Sequence, residues 1–249
     1  MSKKKRENLL KAYRTMKLPS RVSRGDFHAR IIERFNEVSI NLENNHQKAA
    51  EKEMRNLSDI MSEHNVTIND MADLSDDDIE KEYEESAIVL SMAEKTQKVL
   101  EKAKFSEKLK DSVDKFKSKL SEFIGNLKAR MTVLKAHIGK SGSLNDRVVN
   151  LVDAYVALED KESKAGEILE KGIESVINRE NDVGRLKGLR KHLTDVLSRY
   201  EKDTPERTMI ADVLPKVDKR QINLAISKGS KGVEIDLDDG EEEKPGPGR

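Results

Sequence analysis

The sequence predicts an all-α protein, an elongated antiparallel helical bundle or coiled coil of about three long helices. Three observations predict it. Apolar residues recur at steps of three or four along most of the chain, which places them on one stripe of a helix. Only 35% of the 249 residues are hydrophobic and 4% aromatic, while 38% are charged, a composition suited to solvated helices in which about two or three positions in seven are buried. No Gly or Pro interrupts residues 75–124.

Composition also bounds function. The chain has no cysteine, so disulfides, zinc fingers and thiol nucleophiles are excluded within it. No apolar run approaches the roughly 20 residues of a membrane span, and Ser2-Lys3-Lys4-Lys5-Arg6 opens the chain without a following apolar core. An intracellular protein, cytoplasmic or nuclear and without a membrane, is expected. Net charge is zero, yet residues 1–24 carry nine Lys or Arg against one Glu, and residues 70–85 carry nine acids against one Lys. The total hides strong local patches.

Residues 1–25 read as a basic leader in which Leu9, Leu10, Tyr13 and Met16 suggest a short amphipathic helix. Lys3, Lys4, Lys5, Arg6, Lys11, Arg14, Lys17, Arg21 and Arg24 form a dense basic segment. It is a candidate contact for RNA or DNA phosphates, or for nuclear import, or a solvated terminus. From Asp26, read as an N-cap, a first long helix is expected to about residue 64. Its seam runs through Ile31, Phe35, Val38 and Leu42, then His46, Ala50, Met54, Leu57 and Met61, with a stutter at His46. His28, His46, His64, His137 and His192 are scattered, so no metal site and no cofactor are expected.

Ser75 followed by Asp76, Asp77 and Asp78 marks the start of a second long helix over 75–138. The acids around it match a calcium loop poorly, because Asp78 stands where glycine must turn the chain. The apolar stripe continues through Ile79, Tyr83, Ser86, Leu90, Ala93, Gln97 and Leu100, then Phe105, Leu109, Val113, Phe116, Leu120, Phe123, Leu127, Met131, Leu134 and Ile138. One continuous helix of about 95 Å fits; a break near Lys104–Ser106, where the stripe changes phase, fits as well. Lys108, Lys110, Lys115, Lys117, Lys119, Lys128 and Arg130 fall on the opposite, basic back.

Gly139 and the Ser143/Asp146 pair close that helix and open a third over 143–202, so the two should form an antiparallel hairpin. Gly139-Lys140-Ser141 lacks the earlier glycine and the strand of a phosphate loop, and reads as a turn. Glycines at 166, 172, 184 and 188 weaken the third helix, with a kink expected in 179–188. Residues 204–249 are expected to hold a short helix opened by Pro205, then a region compatible with a β-hairpin, then a disordered acidic tail. The hairpin would pair Ile222, Leu224 and Ile226 with Val233, Ile235 and Leu237. Val233, Ile235 and Leu237, followed by acids, also resemble a SUMO-interacting motif that adds as a strand to a partner's sheet.

No arrangement of nucleophile, base and oxyanion donors stands out, so a catalytic role is not expected. Ile32-Glu33-Arg34-Phe35-Asn36-Glu37, Asn41-Leu42-Glu43 and Asp78-Ile79-Glu80-Lys81-Glu82-Tyr83-Glu84-Glu85 resemble the helical leader of Pao/Bel-type retroelement Gag polyproteins over residues 26–100. The resemblance implies self-assembly around RNA, although Phe35 replaces the tryptophan of that pattern and no zinc knuckle or protease motif follows. The reading is a non-enzymatic coiled-coil scaffold or adaptor, or a self-assembling structural protein, with protein partners on its helical seams and a homo-oligomer expected. The alternative is a Gag-like structural protein that holds nucleic acid through its basic leader.

Overall fold

A computed structural model describes residues 22–63, 75–138 and 142–227. Among these residues there are eight α-helices and no strand. They are α1 (Val22–Glu43), α2 (Gln47–Glu63), α3 (Asp76–Lys102), α4 (Lys110–His137), α5 (Leu144–Val156), α6 (Lys164–Arg179), α7 (Val183–Leu197) and α8 (Pro205–Ser227). The chain divides into two compact units, residues 1–176 and 177–249, with the boundary inside α6. No helix among the described residues is long and apolar enough to cross a membrane.

Each of the three expected long helices is divided. The first folds back at residues 44–46, where the stutter was read. Asn45 adopts a left-handed conformation with φ 59°. The amide of Asn45 donates to Leu42 O and that of His46 to Asn41 O, at 3.1 and 2.8 Å. These two bonds make a Schellman C-cap, for which Asn is the usual substitute for Gly. His46 is therefore exposed in a turn rather than seated on a seam. Ala50, Met54, Leu57 and Met61 remain buried, but on a second, returning helix. At the other end, α1 is already helical at Val22, ahead of the expected cap Asp26; a single glycine costs a helix only about 1 kcal/mol and does not stop it.

The second long helix breaks where the stripe changes phase. Ala103 ends α3 in an extended conformation, and the short 3-10 turn Glu107–Leu109 leads into α4. The start is as read: Ser75 accepts from the Asp78 amide, with three aspartates in the first turn. Gln47 ties the two fold-back points together, its amide donating to Lys104 O at 3.1 Å and accepting from Ser106 N at 3.4 Å.

Two helical hairpins thus pack as an up-down-up-down four-helix bundle. His28–Glu85, Ser39–Thr96 and Gln47–Lys104 are all in contact at a constant separation of 57 residues, so α1 and α3 run parallel. Arg34–Glu53 links α1 to the returning α2, and Gln97–Ser121 and Lys128–Glu94 link α3 to the returning α4. Phe35 and Phe123 meet across the bundle at 6.1 Å between ring centroids. Phe105 packs against the same core. Burial of each such side chain is worth about 1.5–3 kcal/mol.

The capping box of Ser143 and Asp146 opens α5 as read. Arg147 reaches back to the Ala136 carbonyl at 3.1 Å, which folds α5 onto α4. The third helix then stops at Val156, because the polar run Glu159–Ser163 offers nothing to bury. Ser163 accepts from the Gly166 amide and restarts the chain as α6. A methyl group at Gly172 would overlap Val133, so the missing side chain lets α6 lie close against α4. A further break at residues 180–182 is capped by Asp182, which accepts from Gly184 N and Arg185 N.

In the second unit α7 and α8 form an antiparallel hairpin. Leu186, Leu189 and Leu193 face Met209, Ile210, Val213, Val217 and Leu224. Arg190–Asp218 at 2.8 Å, and Arg207 donating to Leu197 O and Tyr200 O, fix the register. The helix opened by Pro205 is 23 residues long rather than short. It absorbs Ile222, Leu224 and Ile226, which were read as the first strand of a β-hairpin. Three alternating residues fit either period; Val217, Gln221 and Leu224, all buried, carry the helical one. Residues 228–249, with the second strand and the acidic tail, lie outside the described residues.

Candidate functional site

The residues proposed from sequence for nucleic-acid contact or import lie almost wholly outside the described residues. Lys3, Lys4, Lys5, Arg6, Lys11, Arg14, Lys17 and Arg21 precede α1, and Arg24 falls in its first turn. Val233, Ile235 and Leu237 also lie outside. The structure brings together a different set.

His28 on α1, Glu82 and Glu85 on α3, and Arg130 on α4 meet in the interior of the bundle, each less than a tenth exposed. His28 Nδ1 lies 3.0 Å from Glu85 Oε2, and its Nε2 lies 3.9 Å from Glu82 Oε1. The Arg130 Nη2 donates to Glu82 Oε1 at 2.6 Å. Lys81 stands at the rim, 3.9 Å from Glu85 Oε1.

His28, Glu82 and Glu85 each offer a ligand atom, and those atoms lie within 4.8 Å of one another. The arrangement nevertheless fits a metal poorly. The two ring nitrogens face different carboxylates, whereas an imidazole gives a metal one nitrogen. Arg130 already holds the Glu82 oxygen that would ligate. Two carboxylates are balanced instead by one guanidinium and, when protonated, one imidazolium. A buried ion cluster of this kind joins three helices and specifies how they meet.

Sequence reasoning missed this cluster for identifiable reasons. Arg130 was placed on the basic back of its helix, yet Ala129, Arg130, Val133, Ala136 and His137 are all buried. The C-terminal half of α4 is covered on a second side by α5 and α6, so its buried face is wider than one stripe. On α3 the stripe is rotated: Glu82, Glu85, Val89 and Thr96 are buried, while Tyr83, Leu90 and Gln97 are half-buried. Thr96 is satisfied by Ser39 Oγ at 3.0 Å and the Met92 carbonyl. Lys108, Lys110, Lys115, Lys119 and Lys128 are exposed as read.

The second feature is a surface. Ala211, Leu214, Pro215 and Ile222 lie on the side of α8 turned away from its buried stripe and line a shallow groove with Asp218, Lys219 and Asn223; Ile226 follows one turn beyond it. Ile226 is 74% exposed, and Ile40 at 39% is the other large apolar side chain exposed among the described residues. Pro215 cannot donate to the Ala211 carbonyl, and that lost bond falls on this outer face. Apart from Ile226 and Ile40, the large apolar side chains among the described residues are buried or half-buried.

No protein-family model, curated protein or solved structure matches the chain.

Proposed function

We propose that the protein is a non-enzymatic helical scaffold that self-associates through the outer face of α8. The carrying observation is the outer apolar stripe of α8, in which Ala211, Pro215 and Ile226 are exposed and Leu214 and Ile222 half-buried. A second copy is the occupant favoured by charge. Laid antiparallel over its full length, α8 brings Asp212 within one residue's rise of Lys219 of the other copy, twice about the two-fold axis. Both residues are exposed on the same flank of the stripe, and antiparallel helices pair like flanks. The same register sets Ile222 against the small Ala211.

The stripe spans about 22 Å, and one helix face buries well under the roughly 1,600 Å² of a standard interface. Association is therefore expected to be weak and concentration-dependent. Light scattering after gel filtration tests it: mass should rise with concentration, Ile226→Glu should abolish the rise, Lys219→Asp should weaken it, and adding Asp212→Lys should restore it. A monomer at all concentrations refutes the reading.

A second reading rests on the leader, whose nine basic residues face one acid over residues 1–24. A Gag-like role on RNA or DNA predicts affinity falling with log salt at about 0.7 per phosphate neutralised on single strands. Removal of residues 1–25 should abolish that affinity; unchanged binding, or none by the intact chain at low salt, refutes it.

A further inference from the structure

We propose that a cleft between α3, α4 and α5 binds a small organic oxyanion, a phosphate or carboxylate attached to a planar or apolar group. The cleft has a volume of about 340 Å³ and is lined by Tyr83 from α3, by Met131, Thr132, Lys135 and Ala136 from α4, and by Arg147, Asn150 and Leu151 from α5. That size lies at the lower end of small-molecule sites. The lining holds two cations, a phenol, a hydroxyl and an amide, and no carboxylate. Sites of this make-up attract negative charge, because the cations raise the local potential and low-dielectric walls concentrate it.

Arg147 supplies the specific element. One of its five N–H donors is spent on the Ala136 carbonyl at 3.1 Å, which fixes the guanidinium at the cleft wall before any ligand arrives. A planar guanidinium held in this way suits the two oxygens of a carboxylate or phosphate. A role confined to capping α4 explains the single bond to Ala136. It does not explain why Tyr83, from a third helix, lines the same cleft with no carboxylate in the lining. Met131, Leu151 and the Tyr83 ring supply an apolar wall, so an anion carrying an apolar body should be preferred to a bare one.

Titration of the full 249-residue chain with inorganic phosphate, phenyl phosphate and benzoate, followed by amide and arginine Nε–Hε NMR signals, tests the proposal. Saturable shifts are expected at Tyr83, Thr132, Lys135, Arg147 and Asn150, with phenyl phosphate or benzoate at least tenfold tighter than inorganic phosphate. The tighter of those two identifies which oxyanion the cleft takes. Asn150→Asp places a carboxylate at an exposed position of the lining without disturbing the core, and should weaken binding at least tenfold at an unchanged melting temperature. Arg147→Met should also weaken binding at least tenfold, with a lower melting temperature because the bond to the Ala136 carbonyl is lost, and Lys128→Met, outside the cleft, should leave binding unchanged. No saturable shift with any probe at millimolar concentration, or equal affinity in Asn150→Asp, overturns the proposal.

Discussion

Replacing Arg130 by Met removes the guanidinium that holds Glu82 while nearly preserving side-chain volume, so the cost is electrostatic rather than a cavity. Glu82 loses a charge-assisted bond of 2.6 Å and keeps only His28, whose Nε2 is 3.9 Å away. A buried ion pair broken on one side costs about 3–5 kcal/mol, because the remaining charge stays desolvated without compensation. Glu82→Met removes the carboxylate that Arg130 bonds at 2.6 Å and should also destabilise the first unit. The double replacement removes both charges of the pair, so it should cost less than the sum, with a coupling energy of about 1–3 kcal/mol. Urea unfolding measures this, with the amide signals of α3 and α4 reporting on the first unit separately from the second. In thermal melts Arg130→Met should lower that transition by roughly 6–20 °C, at about 2–4 °C per kcal/mol. Single variants costing under about 1 kcal/mol, or costs that simply add, would refute the cluster as a coupled unit.

Two further outcomes follow from packing and charge. At Gly188 nothing lies within 4 Å of an added methyl group, so Gly188→Ala should stabilise by roughly 0.5–1 kcal/mol. At Gly172 the same methyl meets both Val133 methyls, so Gly172→Ala should destabilise by about 1–3 kcal/mol despite its better helix propensity; denaturant midpoints compare the two, and like signs would contradict the packing. Glu167 is bonded by Lys164 at 2.7 Å and Lys171 at 2.6 Å, and these bonds, Lys164 first, lower its carboxyl from 4.5 to about 2. A lowered carboxyl stabilises the fold above the ordinary value and loses that contribution as pH falls from 4.5 toward about 2. Carboxyl-carbon NMR should show the depressed midpoint and its return toward the ordinary value in Lys164→Gln; a midpoint of 4.5 in the parent chain refutes it.

The sequence by itself determined the helical class, the starts at Ser75, Ser143 and Pro205, and most members of the buried stripes. Each of these depends on residues within one or two turns, where caps and periodic apolar spacing act. The fold-back at Asn44-Asn45 also left a local trace, an asparagine able to adopt the left-handed C-cap, but an unbroken stripe on both sides concealed it. Only the tertiary structure decided that two long stripes fold into two hairpins, since a stripe is equally apolar whether it continues or returns. It also decided the burial of His28, Glu85, Glu82 and Arg130, whose contacts join residues 57 and 48 positions apart. A charged residue beside a stripe reads as solvated until a third or fourth helix covers it, and that covering is set by long-range packing alone. The outer face of α8 was hidden for the converse reason. Its apolar residues resemble any core stripe in the sequence, and only the position of α7 on the other side leaves them exposed.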